Sequence, residues 1–293
     1  MGRRTIVVTG GAGFTGSSVV RILSNYGYRV YALIRPGSDH NSRLACINNV
    51  IPIELDMDNI ISIGEHVESE PEIMIHLFWE SDRYNMNSQY KNIKWTLDAL
   101  DAAAAMGCKR FVCAGSQAEY GSTLRVQKED MTPNPFCAYG AAKVSACYLS
   151  RYRAKEIGIE WLWGRIFSLY GTNEPDTRML SNIVKRFANN EEIHLSSCRQ
   201  NWDYLHVKDG ARAIITLAEK GKDGEIYNIA NGTYRPLMDY VEEAKHVIGS
   251  DSEIFYGSDP EPYVSLQPSV EKIMNDTGWN PEISFAEGIK MGF

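Results

Sequence analysis

The 293-residue chain has no internal repeat, no low-complexity tract, no cluster of basic residues and no Cys-x-x-Cys pair. Each absence removes a class of function. Without a basic patch, and with a net charge of −7 spread over mixed-sign segments, nucleic acid and anionic membrane are poor partners and a small molecule is the default ligand. The N-terminal MGRRTIVVTGG carries two arginines, but the apolar run behind them is too short for a signal-peptide core or a membrane span. Cys46, Cys108, Cys113, Cys137, Cys147 and Cys198 lack metal-site or redox spacing and stand mostly in apolar or helical runs. They read as reduced core thiols, with no metal site, in a chain expected in the cytoplasm.

Alternation is what the sequence does have. TIVVTG, SSVVRILSNYG, RVYALIR, MIHLF, a helix to Met106 and RFVCAGS follow one another as strand and helix patterns. That order predicts an α/β fold, a doubly wound parallel sheet of the Rossmann type. WLWGRIFSLYG is a further buried strand running into a turn. Beyond about residue 171 the rhythm changes: a helix at MLSNIVKRFANN, short strands at EIHLS and NWDYLHV, and prolines at Pro260, Pro262 and Pro268. We expect residues 1–170 to form the dinucleotide-binding domain, segments around 203–230 to return to it, and 171–293 to form mainly a smaller C-terminal α/β substrate-binding lobe. A ligand cleft between the two follows.

TIVVTGGAGFTGSSVV places Gly10, Gly11, Gly13 and Gly16 after a strand and before a helix. Such a loop lets backbone approach a pyrophosphate, and the helix N-terminus offers it free N–H groups and positive partial charge. A tight strand-to-helix turn is the plainer reading, and the position at the first strand of an alternating chain favours binding. Gly10, Gly13, Phe14, Thr15 and Gly16 are the expected contacts. The second strand ends in Ile34 and Arg35, without the acidic residue that would hold a ribose 2′-hydroxyl. A guanidinium suits a 2′-phosphate, so NADP(H) is expected, with NAD(H) the alternative. Ser38 and Arg43 are further phosphate contacts to consider.

A Tyr-x-x-x-Lys spacing occurs three times, at Tyr90/Lys94, Tyr139/Lys143 and Tyr204/Lys208, so spacing alone selects none of them. TGGAGFTG, Asp56 in ELDMD, MIHLFWES, NIKWT around Asn92, FVCAGSQAEYG, AYGAAK, RIFSLYG and WDYLHVKDGARA together resemble the extended short-chain dehydrogenase/reductase family, in its branch of sugar-nucleotide epimerases, dehydratases and 4-ketoreductases. The resemblance runs nearly the whole chain in the family's order. It implies that Ser116, Tyr139 and Lys143 are catalytic: the tyrosine exchanges a proton with the substrate oxygen, the serine hydrogen-bonds that oxygen, and the lysine holds the nicotinamide ribose. A lysine about 4 Å from the phenol would pull its pKa below the usual value of about 10. Asp56 would contact the adenine and Asn92 support the lysine side. The family commonly dimerises through helices corresponding to residues 88–106 and 138–156, so a homodimer is expected.

Departures from the family sharpen the reading. Gln117 and Ala118 follow Ser116 where dehydratases carry Asp-Glu, so 4,6-dehydration is not expected. Glu119 is nearby but would point to the other side if the strand alternation continued. Trp202 stands where an arginine often binds the diphosphate, and a second arginine expected near YGSDPEPY is missing. Arg178, Lys185, Arg186 or Arg199 would have to supply that charge. Trp79, Glu80 and Trp202 are candidates to line the site, with Trp79, Ser116, Arg178 and Trp202 as substrate residues. The resulting expectation is NADPH-dependent reduction of a keto group on a nucleotide-activated deoxysugar. A nucleotide-sugar 4-epimerase uses the same constellation, and a non-catalytic dinucleotide sensor would keep the loop without the Tyr-Lys pair.

Overall fold

The structure, a computed structural model, describes residues 4–80 and 82–292. β1 (Thr5–Thr9) is buried at every position, as a strand covered on both faces must be. It lies inside a seven-stranded parallel sheet of order β11-β6-β5-β4-β1-β2-β3, between β4 and β2. The other members are β2 (Arg29–Ile34), β3 (Val50–Glu54), β4 (Ile73–His76), β5 (Arg110–Ser116), β6 (Glu160–Ile166) and β11 (Glu225–Ile229). The chain reverses its direction of strand addition between β1 and β4, the point at which a crevice opens beyond the strands' C-terminal ends.

Helices cover both faces. One core joins the sheet to α1 (Phe14–Asn25), α5 (Val207–Lys220) and α7 (Glu271–Thr277) through Val19, Leu23, Ile214, Leu217 and Ile273. The other joins it to α2 (Met86–Ala105) and α3 (Ala138–Ile157), with Ala99, Ala103, Ala146 and Ala154 allowing the helices to lie close to Trp161 and Trp163. Residues 57–66 complete this side as 3₁₀ turns.

A third core belongs to the lobe. α4 (Met179–Ala188), α6 (Leu237–Ile248) and α8 (Phe285–Met291) close around Tyr170, Tyr204, Tyr240 and Phe285. Edge-to-face and tilted ring contacts tie these together, with Tyr240 and Phe285 centroids 4.8 Å apart. Three small sheets pair β7 (Ser168–Tyr170) with β10 (Tyr204–His206), β8 (Ile193–Leu195) with β13 (Ile254–Tyr256), and β9 (Asn201–Trp202) with β12 (Arg235–Pro236).

Two local readings of the sequence are corrected. NWDYLHV forms two strands in different sheets, because buried Asp203 leaves both ladders to accept the N–H groups of Asn231 and Gly232, each at 2.7 Å. Burial pushes its carboxyl up to about 6. The cysteines are free, but Cys46 is exposed, at φ 60° in the turn before β3, and is no core thiol. No helix among the described residues is long and apolar enough to cross a membrane, and no group of three or more His, Cys, Asp or Glu side chains could hold a metal ion.

Candidate active site

The glycine loop folds back on the strand it leaves. Gly10 sits at φ +68° with Phe78 backbone 2.9 Å from where a Cβ would stand, and a Cβ on Gly16 would lie 2.1 Å from the Gly10 carbonyl. Larger residues would therefore open the turn. Gly13 caps α1 without a side-chain bond, and no acidic residue occupies the first turn. Half-buried Gly13, Phe14 and Thr15 thus present an uncompensated helix N-terminus at the end of β1. Arg43 braces the loop by donating to the Ala12 carbonyl at 3.2 Å, and Ser38 is spent capping the turn at 39–44.

Beside it, a cavity of about 200 Å³ opens at the ends of β2 and β3, lined by Leu33, Ile34, Arg35, Asp56, Phe78 and Trp95 among others. The cradle and the cavity fit a dinucleotide, whose pyrophosphate the α1 N-terminus would hold and whose adenine the strand ends would flank. Arg35 is not free at this rim: its Nη2 donates to Glu80 at 2.9 Å, and its guanidinium lies 5.7 Å from the Phe78 ring centroid. Asn92 clamps the Glu80 backbone, accepting its N–H at 2.8 Å and donating to its carbonyl at 3.1 Å. It thereby fixes the loop that holds Trp79, the ring over which the Lys143 amine lies.

β5 delivers Ser116 to the cleft, and α3 delivers Tyr139 and Lys143 from its first turns. Ser116 Oγ accepts the Ala118 N–H at 3.2 Å, and Trp79 and the Tyr139 phenol meet edge to face with centroids 6.0 Å apart. Lys143 is buried, donates from Nζ to the Ala114 carbonyl at 2.6 Å and stands 3.5 Å from the Trp79 ring centroid. From the Tyr139 ring it is 6.0 Å away.

The electrostatics differ from the sequence expectation. Burial raises the Tyr139 pKa, and the hydrogen bond with Ser116 and the charge of Arg83 oppose that rise. Burial also pulls Lys143 down to about 8. A lysine that is itself desolvated and turned to a carbonyl does not lower the phenol in the way a cation at 4 Å would.

The other two Tyr-x-x-x-Lys pairs lie elsewhere. Tyr90 is exposed on α2 with Lys94 paired to Asp98, while Tyr204 is buried in the lobe core. Glu119 also departs from expectation. The strand ends at Ser116 and a 3₁₀ turn follows, so the side chain turns inward. It accepts the Ser116 N–H at 2.8 Å, the Trp163 indole N–H at 2.8 Å and Arg165 Nε at 2.7 Å, in a pair that is fully buried.

Across the cleft, Arg178 caps α4, exposed, 5.4 Å from the Phe14 ring centroid and 4.0 Å from Glu174. Glu174 is buried and its carboxyl is pushed up to about 7. Trp202 lies in β9 opposite Arg235, with its indole N–H unpartnered among the described residues. Arg235 is turned away, stacked 4.0 Å from the Tyr240 ring centroid and paired with Glu243. Arg199 is paired with Asp259, Lys185 with Asp176 and Arg186 with Glu191. Sequence reasoning missed Arg83 and the Glu119–Arg165 pair, for which no local spacing gives a signal.

Comparison with known proteins agrees with this geometry. A UDP-glucose 4-epimerase of Corynebacterium glutamicum is 28% identical over 94% of this chain and 91% of its own. A dTDP-D-glucose 4,6-dehydratase of Mus musculus is 22% identical over 98% and 87%. The crystal structure of a UDP-glucose 4-epimerase from Thermotoga maritima, solved with UDP-glucose, superimposes with a TM-score of 0.87 at 26% identity, covering 98% of this chain and 96% of that one. The profile of the NAD dependent epimerase/dehydratase family matches residues 6–230, and with its parallel sheet and glycine loop the chain belongs to that family of enzymes.

Proposed function

We propose that the chain interconverts the C4 epimers of a nucleotide-activated sugar, with NAD retained through the cycle. The placement of Ser116, Tyr139 and Lys143 at the sheet's C-terminal edge supports proton and hydride exchange at a sugar carbon, and the engagement of Arg35 by Glu80 supports the NAD-retaining form of it. Bound NAD supplies the hydride acceptor for oxidation and the donor for the return step. The Tyr139 oxygen takes the proton of the sugar hydroxyl and gives it back after the sugar turns over, Ser116 donates a hydrogen bond to the reacting oxygen, and Lys143 contributes its charge and a ribose contact. Arg178 and the first turn of α4 are the source of positive charge for the diphosphate, taking the place of the arginine that Trp202 replaces.

Arg35 favours the second reading, NADPH-dependent reduction of a 4-keto-6-deoxy nucleotide sugar, because a guanidinium at the end of β2 suits a 2′-phosphate. Its engagement by Glu80, with Asp56 on the same rim, weighs toward NAD. Dehydration is disfavoured: Gln117 and Ala118 carry no carboxyl, and Glu119 is committed to Arg165. A homodimer through α2 and α3 fits the exposed Tyr148, Leu149 and Tyr152.

One assay separates the readings. Incubation with UDP-glucose and other UDP- or dTDP-hexoses, with products resolved by chromatography, should give the 4-epimer with no net change in reduced nicotinamide. Consumption of one NADPH per hydroxyl formed from a 4-keto-6-deoxy sugar, without epimerisation, would overturn the epimerase in favour of the reductase.

A further inference from the structure

Of the two cations over the phenol's ring among the described residues, the nearer is an arginine from outside α3. Arg83 stands in the segment between β4 and α2, three residues before the helix begins, and its guanidinium carbon lies 4.7 Å from the Tyr139 ring centroid. The contact is fixed from the backbone, since the Tyr139 N–H donates to the Arg83 carbonyl at 3.1 Å. The side chain is exposed and forms no ion pair among the described residues, so its charge is not spent on a carboxylate. Its neighbour Asp82 accepts the N–H groups of Tyr84 and Asn85 on Oδ1.

Other charges around the phenol are differently committed. Lys143, from α3, is 6.0 Å from the ring centroid and turned to Ala114 and Trp79. Glu119, from the turn after β5, is locked to Arg165. Arg178, at the head of α4, shares its charge with Glu174 at 4.0 Å. Ser116, from β5, is neutral and its Oγ accepts the Ala118 N–H. A phenolate pushes electron density into its ring, so a cation on the ring face stabilises the anion more than the neutral phenol.

We propose that Arg83 is a positioning residue for Tyr139: its guanidinium, laid on the ring face, holds the phenol in place and favours the anionic form that accepts the substrate proton. The inference rests on Tyr139 being the proton-transfer group. Burial opposes ionisation of this tyrosine, and Arg83 is the first charge that counters it.

The test needs no substrate. The protein is labelled at tyrosine ¹³Cζ, saturated with NAD, and titrated by NMR, the Tyr139 signal being assigned by its disappearance in Tyr139→Phe. In Arg83→Gln the Tyr139 midpoint should move to higher pH, and in Arg83→Lys it should return part of the way, while the other tyrosine signals stay where they were. Coincident midpoints in wild type and Arg83→Gln overturn the proposal, as does a Gln variant whose other tyrosine signals shift as well. With a turned-over sugar, kcat/KM of Arg83→Gln at pH 7 should fall about threefold to tenfold and recover as the pH is raised. A loss equal at every pH refutes the role. Full turnover by Tyr139→Phe would refute the catalytic reading instead, leaving the NMR result to judge Arg83 separately.

Discussion

The sheet's C-terminal edge and the lobe that covers it treat their polar atoms differently. At the edge almost every group is used: Thr9 holds His76 at 2.8 Å, Asn92 holds Glu80, Lys143 holds Ala114, and Glu119 is satisfied on both oxygens. In the lobe, buried atoms remain without a partner among the described residues: Glu174 Oε2, Ser181 Oγ, Gln200 Oε1 and Trp202 Nε1. A buried polar atom without a bond costs about 1–3 kcal/mol. The groups around Ser116 and Lys143 are paired with one another, whereas these lobe atoms, like Asn41 Oδ1 beside Arg35, are not.

Substitutions on the two sides should therefore act on different quantities. The largest effect is expected for Tyr139→Phe, where kcat falls by a factor on the order of 10² to 10⁴ while the calorimetric affinity for NAD is unchanged. A parallel loss of NAD affinity would break the comparison. Next is Glu119→Ala, which strands a buried guanidinium beside Ser116. Unfolding in urea should show a loss of about 3–5 kcal/mol, with Glu119→Gln intermediate.

On the lobe side, Arg178→Ala should raise KM for the nucleotide sugar about tenfold and change kcat by less than about threefold, measured by initial rates. Equal losses in kcat and kcat/KM would place Arg178 in the transition state and erase the contrast between the two sides.

The smallest effect tests the cost of organising the edge. Lys143 titrates near 8 when folded, against 10.5 for a lysine in water, so between these values the unfolded state binds more protons and stability rises with pH. Below pH 8 the folded state carries the full cost of a buried cation. Lys143→Met should accordingly stabilise the cofactor-free protein by about 1 kcal/mol at pH 7, an advantage that shrinks above pH 8 and is lost by about pH 9, read by thermal unfolding across that range.

The same contrast explains what the sequence revealed. The parallel sheet and the glycine loop are written locally, in runs such as TIVVT and in glycines whose spacing is itself the turn. Family order picks out Ser116, Tyr139 and Lys143, and β5 and the first turns of α3 carry them. What stayed hidden depends on pairing between distant residues. Glu119 meets Arg165 across 46 positions, Arg83 meets Tyr139 across a helix, and Arg35 meets Glu80 across two strands. The sense in which the phenol shifts was misjudged for a related reason: spacing puts Lys143 on the same helix face but does not say that its amine turns to Ala114. In NWDYLHV, alternation concealed the break at Asp203, whose partners come from residues 231 and 232.

The place of β11 has a consequence for how the protein is made. It pairs with β6 at one end of the sheet, yet 58 residues separate Ile166 from Glu225, and most of the segments between them belong to the lobe. A nascent chain emerging from the ribosome can assemble β1 to β6, but until residue 229 has left the exit tunnel β6 is an open edge with Leu162 and Trp163 awaiting cover. Unpaired edges of this kind are where chains join one another instead of themselves. Truncations ending before residue 225 should therefore aggregate during synthesis, whereas those that retain β11 keep the sheet's last strand and can close it.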